Sequence, residues 1–141
     1  SRDNPVFYVQ YAHARCCSIL RNALITIPTL NLNLDSLSKA NLSLLTHPNE
    51  ISVIKLLVSW PKVVETAALS HEPHRIAFFL RELAATFHAL WTQGKKENEL
   101  RFLITENHEL SEARIALVAG CALGLSVGLN LMGVTPVKEL N

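Results

Sequence analysis

Five side chains in the first part of the chain stand out by type and by spacing. Tyr8, Tyr11, Arg15, Ser18 and Asn22 follow one another at alternating intervals of three and four, which on a helix places them in one stripe. Val9, Ala12, Cys16, Ile19, Leu20 and Ala23 make the apolar face of the same helix. Phenol rings offer flat surfaces to unpaired bases, and a guanidinium can stack or bind phosphate. Each stacked base is worth roughly 1–3 kcal/mol. Such a stripe could therefore read single-stranded nucleic acid, or it could pack against another helix or a further domain. Periodicity alone leaves both readings open.

Other candidates are weaker. His74, Arg81 and His88 recur every seven residues along a later helical pattern and form one polar edge. That edge is either solvated or faces nucleic acid, with Arg81 as the phosphate contact. Trp91 ends the apolar stripe of the same segment and is either core or a stacking surface. His13 falls on the apolar side of its helix and reads as a hydrogen-bonded structural residue. No Gly-rich phosphate loop, HExxH or CxxC occurs. His71 and His74 have no third ligand nearby, and Glu97 and Glu99 sit in a polar connector. No catalytic residue, metal site or cofactor is expected within these residues.

The elements that must position the stripe are helical throughout. Asn4 caps a helix that opens at Pro5 and runs to about Ile25. Residues 27–50, rich in Asn and bounded by Pro28 and Pro48, read as a connection holding at most one short helix near 35–45. A helix from about Asn49 to Trp60 is followed by a restart at Pro61 that reaches Ala68. The next spans Pro73 to Gln93 and ends at Gly94 with Lys95 and Lys96. Residues 94–110 are polar and irregular apart from Leu100–Ile104. Ser111 is expected to cap the last helix, which Gly133 and Pro136 stop. No β-type alternation appears, so the fold class is all-α, a helical bundle.

The 141 residues, 49% of them hydrophobic and 18% charged, suit a chain with a real core and exclude a disordered tail. Three cysteines make no disulfide framework, and adjacent Cys16 and Cys17 suit a reducing compartment. Residues 1–5 show no basic region leading into an apolar run, so a cytoplasmic location is expected. Between Ile115 and Val134 only Ser126 and Asn130 are strongly polar, and Gly120, Gly124 and Gly128 recur every four residues. That run is marginal for a membrane span and lacks basic anchors; it reads as the central helix of a bundle whose glycines admit close neighbours. The net charge of +1 argues against gripping many phosphates. It is unevenly divided: residues 1–96 carry ten basic and six acidic groups, and residues 97–141 three basic and six acidic.

The stretch Asn4-Pro-Val-Phe-Tyr-Val-Gln-Tyr-Ala-His-Ala-Arg15 closely resembles the opening of the C-terminal anticodon-binding domain of arginyl-tRNA synthetases. Glu72-Pro-His-Arg-Ile-Ala-Phe-Phe-Leu-Arg-Glu-Leu-Ala84, followed by Phe87-His88, is similar to the family's central helix. Glu112-Ala-Arg-Ile-Ala-Leu-Val118, followed by Gly128-Leu-Asn-Leu-Met-Gly-Val134, is similar to its last helix, from which the DALR domain takes its name. The resemblance covers all but the connectors 27–48 and 93–110. It implies one DALR-type domain over residues 1–141, a class I synthetase helical bundle that binds the anticodon stem-loop of arginine tRNA. It also implies a larger, monomeric enzyme whose catalytic domain, absent here, uses ATP with Mg to join arginine to its tRNA.

In that family the aromatic and Arg positions of the first helix face the anticodon loop, and they match Tyr8, Tyr11 and Arg15. Arg81 is expected to assist, and Trp91, where the family has Tyr, keeps a stacking surface. The family's tail ends in Met after a basic residue, whereas this one ends Val137-Lys138-Glu139-Leu140-Asn141, which makes Leu140 a weaker candidate. The last helix also departs, with Ala119, Gly120 and Ala122 where basic residues are common. Two other readings remain: a helical module whose stripe docks a protein, and the related domain of another class I synthetase.

Overall fold

A computed structural model describes residues 4–140. Residues 1–3, which bear on the expectation about a leader, lie outside them. Five α-helices and two 3-10 turns occur in the order α1 (Pro5–Thr26), α2 (Leu34–Ser38), the turn Leu42–Leu44, α3 (Pro48–Leu69), α4 (His74–Lys96), the turn Asn98–Leu100 and α5 (His108–Leu131). No strand occurs among the described residues.

Helix α1 begins as its sequence dictates. Asn4 accepts a hydrogen bond from the Val6 amide at 2.9 Å, and Pro5 occupies the first turn, where no amide hydrogen is needed. Val9, Ala12, Cys16 and Ala23 are buried along one face. His13, 5% exposed, joins them. Across the interface the α4 face Phe79, Leu80, Leu83, Ala84, Phe87 and Leu90 is buried too.

Helix α5 is long and apolar enough to cross a membrane by composition, yet it packs against α1, α3 and α4 as the bundle's shared helix. Its glycines set the spacing. A β-carbon on Gly128 would collide with the Leu80 side chain, and one on Gly120 would stand 3.1 Å from Leu57. Cys16 and Cys121 sit buried and unpaired in this region, and burial pushes the Cys121 thiol up to about 12, so both act as small apolar groups.

A buried ion pair ties three elements together. The Glu50 carboxylate accepts from the His47 amide at 3.2 Å, completing a capping box at the start of α3. Its other oxygen accepts from Arg114 Nε on α5 at 3.0 Å, with both side chains almost fully buried. Arg114 Nη1 donates to the carbonyls of Glu99 and Arg101 at 2.7 and 2.8 Å, which pins the connector between α4 and α5.

Three local expectations are corrected. Pro61 lies inside a continuous α3, with no restart. An internal proline costs about 3 kcal/mol through a lost hydrogen bond and a clash, but residues on both sides of it are held by packing: Trp60 stacks on Phe79 at 4.7 Å, and Val63 lies against the core. Gly94 does not end α4, which continues to Lys96. Its role is close approach, since a β-carbon there would stand 2.9 Å from the Leu100 carbonyl oxygen. Ser111 is not the cap of α5. Asn107 accepts from the Leu110 amide, while the buried Ser111 hydroxyl bonds the amide and carbonyl of Ile104. At the far end α5 stops as expected, with Gly133 at φ +77°.

Candidate nucleic-acid interface

The α1 stripe faces the outer edge of α4, and the two helices enclose an open recess of about 570 Å³. Tyr8, Tyr11, Arg15, His88 and Trp91 line it, and no acidic side chain does. The Arg15 guanidinium carbon lies 3.6 Å from the Trp91 ring centre and 4.7 Å from that of Tyr11. Arg15 also donates to the Tyr11 hydroxyl. That is its one hydrogen bond among the described residues, so most of its five donors stay available.

His88 forms the floor. Its ring centre is 5.2 Å from Tyr8 and 5.6 Å from Tyr11. Burial, reinforced by the neighbouring Arg15 charge, pulls its pKa down to about 4. The imidazole is therefore neutral at physiological pH, and its buried Nε2 has no hydrogen-bond partner. The polar edge read from the sequence thus divides. His88 turns inward against the tyrosines, Arg81 stays exposed, and His74 pairs with Glu72 at 3.3 Å. Arg81 does not line the recess, although its charge reaches Tyr8: burial raises the phenol's pKa and Arg81 opposes the rise.

The C-terminal segment lies along α1. Gln10 donates to the Thr135 carbonyl and accepts from the Val137 amide, both at 2.8 Å. His13 Nδ1 is 2.6 Å from the Val137 carbonyl oxygen, and Arg21 donates to that of Lys138 at 3.2 Å. His13 is thereby a hydrogen-bonded structural residue, as its place on the apolar side of α1 predicts. The tail brings Leu140 to a second recess, of about 350 Å³, which it shares with Tyr11, Arg15, Ser18 and Arg21. Tyr8, Tyr11, Arg15, Trp91 and Leu140 are therefore neighbours, and Arg81 stands apart at the Tyr8 end.

Trp91 is half-buried and serves as a wall. It also lines a third recess, on the side of Asn22 and Lys95. Among the described residues no group of three metal-ligating side chains occurs. Sequence reasoning put His88 on a polar edge but missed it as the floor of the recess, and it missed Gln10 as a tail contact and Arg101 beside the third recess. Only His88 carried a signal, being next to core residue Phe87 on a face that α1 has to cover.

The family description "DALR anticodon binding domain" matches residues 9–140. This chain belongs to the DALR anticodon-binding domain family. Curated relatives of the DALR chain include the arginine–tRNA ligase of Rhodospirillum rubrum, 50% identical over 99% of the chain, and that of Xanthobacter autotrophicus, 51% identical over 99%. The chain spans about a quarter of each, 24%. Among solved structures, Thermus thermophilus arginyl-tRNA synthetase is 31% identical and superposes with a TM-score of 0.74 over 99% of this DALR chain and 22% of its own. An arginyl-tRNA synthetase from Campylobacter jejuni, 21% identical, shares the fold at a TM-score of 0.78, covering 99% of this chain and 27% of its own.

Proposed function

We propose that this chain is the anticodon-reading module of a monomeric, cytoplasmic arginine–tRNA ligase, with residues 1–141 acting as one domain on the anticodon stem-loop of arginine tRNA. The observation that carries the reading is Arg15. It is laid against Trp91 and Tyr11 in an open, carboxylate-free recess, where a stripe of ring faces and unused guanidinium donors meets solvent. Single-stranded loop bases are recognised by stacking on aromatic and guanidinium planes and by hydrogen bonds to their edges. Tyr8, Tyr11 and Trp91 supply the planes, and Arg15 supplies a plane and the donors. Arg81 extends positive charge toward the flanking phosphates. Leu140 closes the neighbouring recess. Neutral His88 backs both tyrosines without adding a charge.

Arginine activation with ATP and Mg is assigned to the remainder of such a ligase, since this chain corresponds to about a quarter of its arginine–tRNA ligase relatives, 24%. In the complete enzyme, Tyr11→Ala is expected to raise KM for tRNA roughly 5- to 150-fold, the equivalent of one lost stacked base. The KM values for arginine and ATP should stay unchanged. Equal charging kinetics for variant and parent, or a stable protein complex on this face that excludes the stem-loop, would overturn the reading.

A further inference from the structure

We propose that the recess beyond Trp91 is a second nucleotide site, in which Lys95 and Arg101 take backbone phosphate and Asn22 meets a base edge. This rests on the proposed reading of an RNA loop and extends it along the same face.

The recess, about 500 Å³, lies between the C-terminal half of α1 and the end of α4. Asn22, Thr26, Trp91, Lys95 and Arg101 are among its lining. Trp91 is common to this recess and to that of Tyr11 and Arg15, so the two sites share one partition. A strand stacked on the first is delivered directly to the second.

The charges at this third recess are arranged differently from those around Tyr11 and Arg15. Lys95 is exposed, its ammonium 4.5 Å from the Trp91 ring centre, and Arg101 is exposed as well. Neither forms an ion pair among the described residues, and no acidic side chain lines the recess. Two unneutralised cations on one rim suit phosphate, which binds ammonium and guanidinium through charge-assisted hydrogen bonds. Asn22 is exposed, and its side chain makes no hydrogen bond among the described residues. A primary amide presents a donor and an acceptor together, the complement of a base edge.

The site is also built firmly. Buried Arg114 holds the Arg101 carbonyl at 2.8 Å, and the backbone at Leu100 presses so closely on α4 that only glycine fits at position 94. The Arg101 side chain therefore projects from a fixed point of the connector. The α1 stripe acquires a common purpose in this arrangement: Tyr8, Tyr11 and Arg15 serve the first recess, Ser18 the tail recess, and Asn22 the third.

The test uses the complete ligase, tRNA binding measured over a range of salt concentration, and three variants whose melting temperatures are compared with the parent. Lys95→Gln with Arg101→Gln is expected to weaken tRNA binding by tenfold or more at low salt. It should also make the slope of log affinity against log salt shallower by about 1.4, the value for two single-strand phosphates. Asn22→Ala is expected to weaken binding several-fold with the slope unchanged. Tyr11→Ala reports on the first recess. Full affinity and an unaltered slope in the double variant, alongside weakened binding in Tyr11→Ala, would overturn the second site and leave the anticodon reading standing. Weakening confined to the double and Asn22 variants would support the second site and remove Tyr11 from the interface.

Discussion

Arg114 and Arg15 are both arginines on long helices, and their surroundings differ in every respect that matters to an ion. Arg114 is almost wholly buried, paired with Glu50 and bonded to two carbonyls. Arg15 is half-exposed, forms no ion pair among the described residues, and rests on the rings of Trp91 and Tyr11. A charge taken from water must have its donors matched, or the fold loses several kcal/mol. Arg114 commits its Nε and Nη1 groups to partners inside the fold. Arg15 is held in place by rings, which position a guanidinium without consuming its N–H groups. The last-helix segment that resembles the name-giving part of the family thus supplies the fold, while the side chains of the proposed interface lie mainly on α1 and α4.

The contrast can be broken most forcefully at Arg114. Arg114→Ala strands the Glu50 carboxylate in the interior and is expected to cost about 3–5 kcal/mol in urea unfolding. Adding Glu50→Gln should recover part of that loss. A single variant as stable as the parent would mean that the pair does not clamp the helices. At Arg15 the expectation reverses. Arg15→Lys keeps the charge and loses the planar fork, so thermal stability should be unaltered while KM for tRNA in the complete ligase rises several-fold. An unchanged KM would reduce Arg15 to a point charge.

The smallest effect concerns the floor of the recess. With its pKa pulled from 6.5 to about 4 by burial and by Arg15, His88 binds its proton less readily in the folded state. Between those values the unfolded chain holds more protons, so stability rises with pH in this window. The contribution is complete above about pH 6.5 and declines as acid takes the solution toward pH 4. His88→Phe, which retains a ring against Tyr8 and Tyr11, should flatten that part of the melting profile. An identical pH dependence in the variant would dismiss His88 as its source.

Much of this arrangement was legible in the sequence because it is local. The Asn4 cap, the two faces of α1 and the close packing at Gly120, Gly124 and Gly128 all follow from spacing and residue type. Features decided by distant partners were not legible. Pro61 signals a break locally, but packing of Trp60 and Val63 carries α3 through it. Gly94 reads as a terminator until the Leu100 carbonyl is seen against it. Glu50 and Arg114 are 64 residues apart, and nothing in either neighbourhood announces the other. In the recess, α1 declared its stripe, but the inward turn of His88 and the approach of Leu140 depend on how α4 and the tail dock.

Among the described residues, the hydrogen bonds that hold the tail to α1 run through the tail's main chain. Gln10, His13 and Arg21 grip carbonyls and one amide of residues 135–138, and no side chain of the tail takes part in these bonds. These bonds do not depend on which side chains the tail carries. Substitutions at Lys138, Glu139 or Leu140 can change what the second recess presents while the backbone keeps its course, and at position 137 proline, with no amide hydrogen to give, would undo a bond. The fixed part of the device is on α1; the terminal residues are an exchangeable tip.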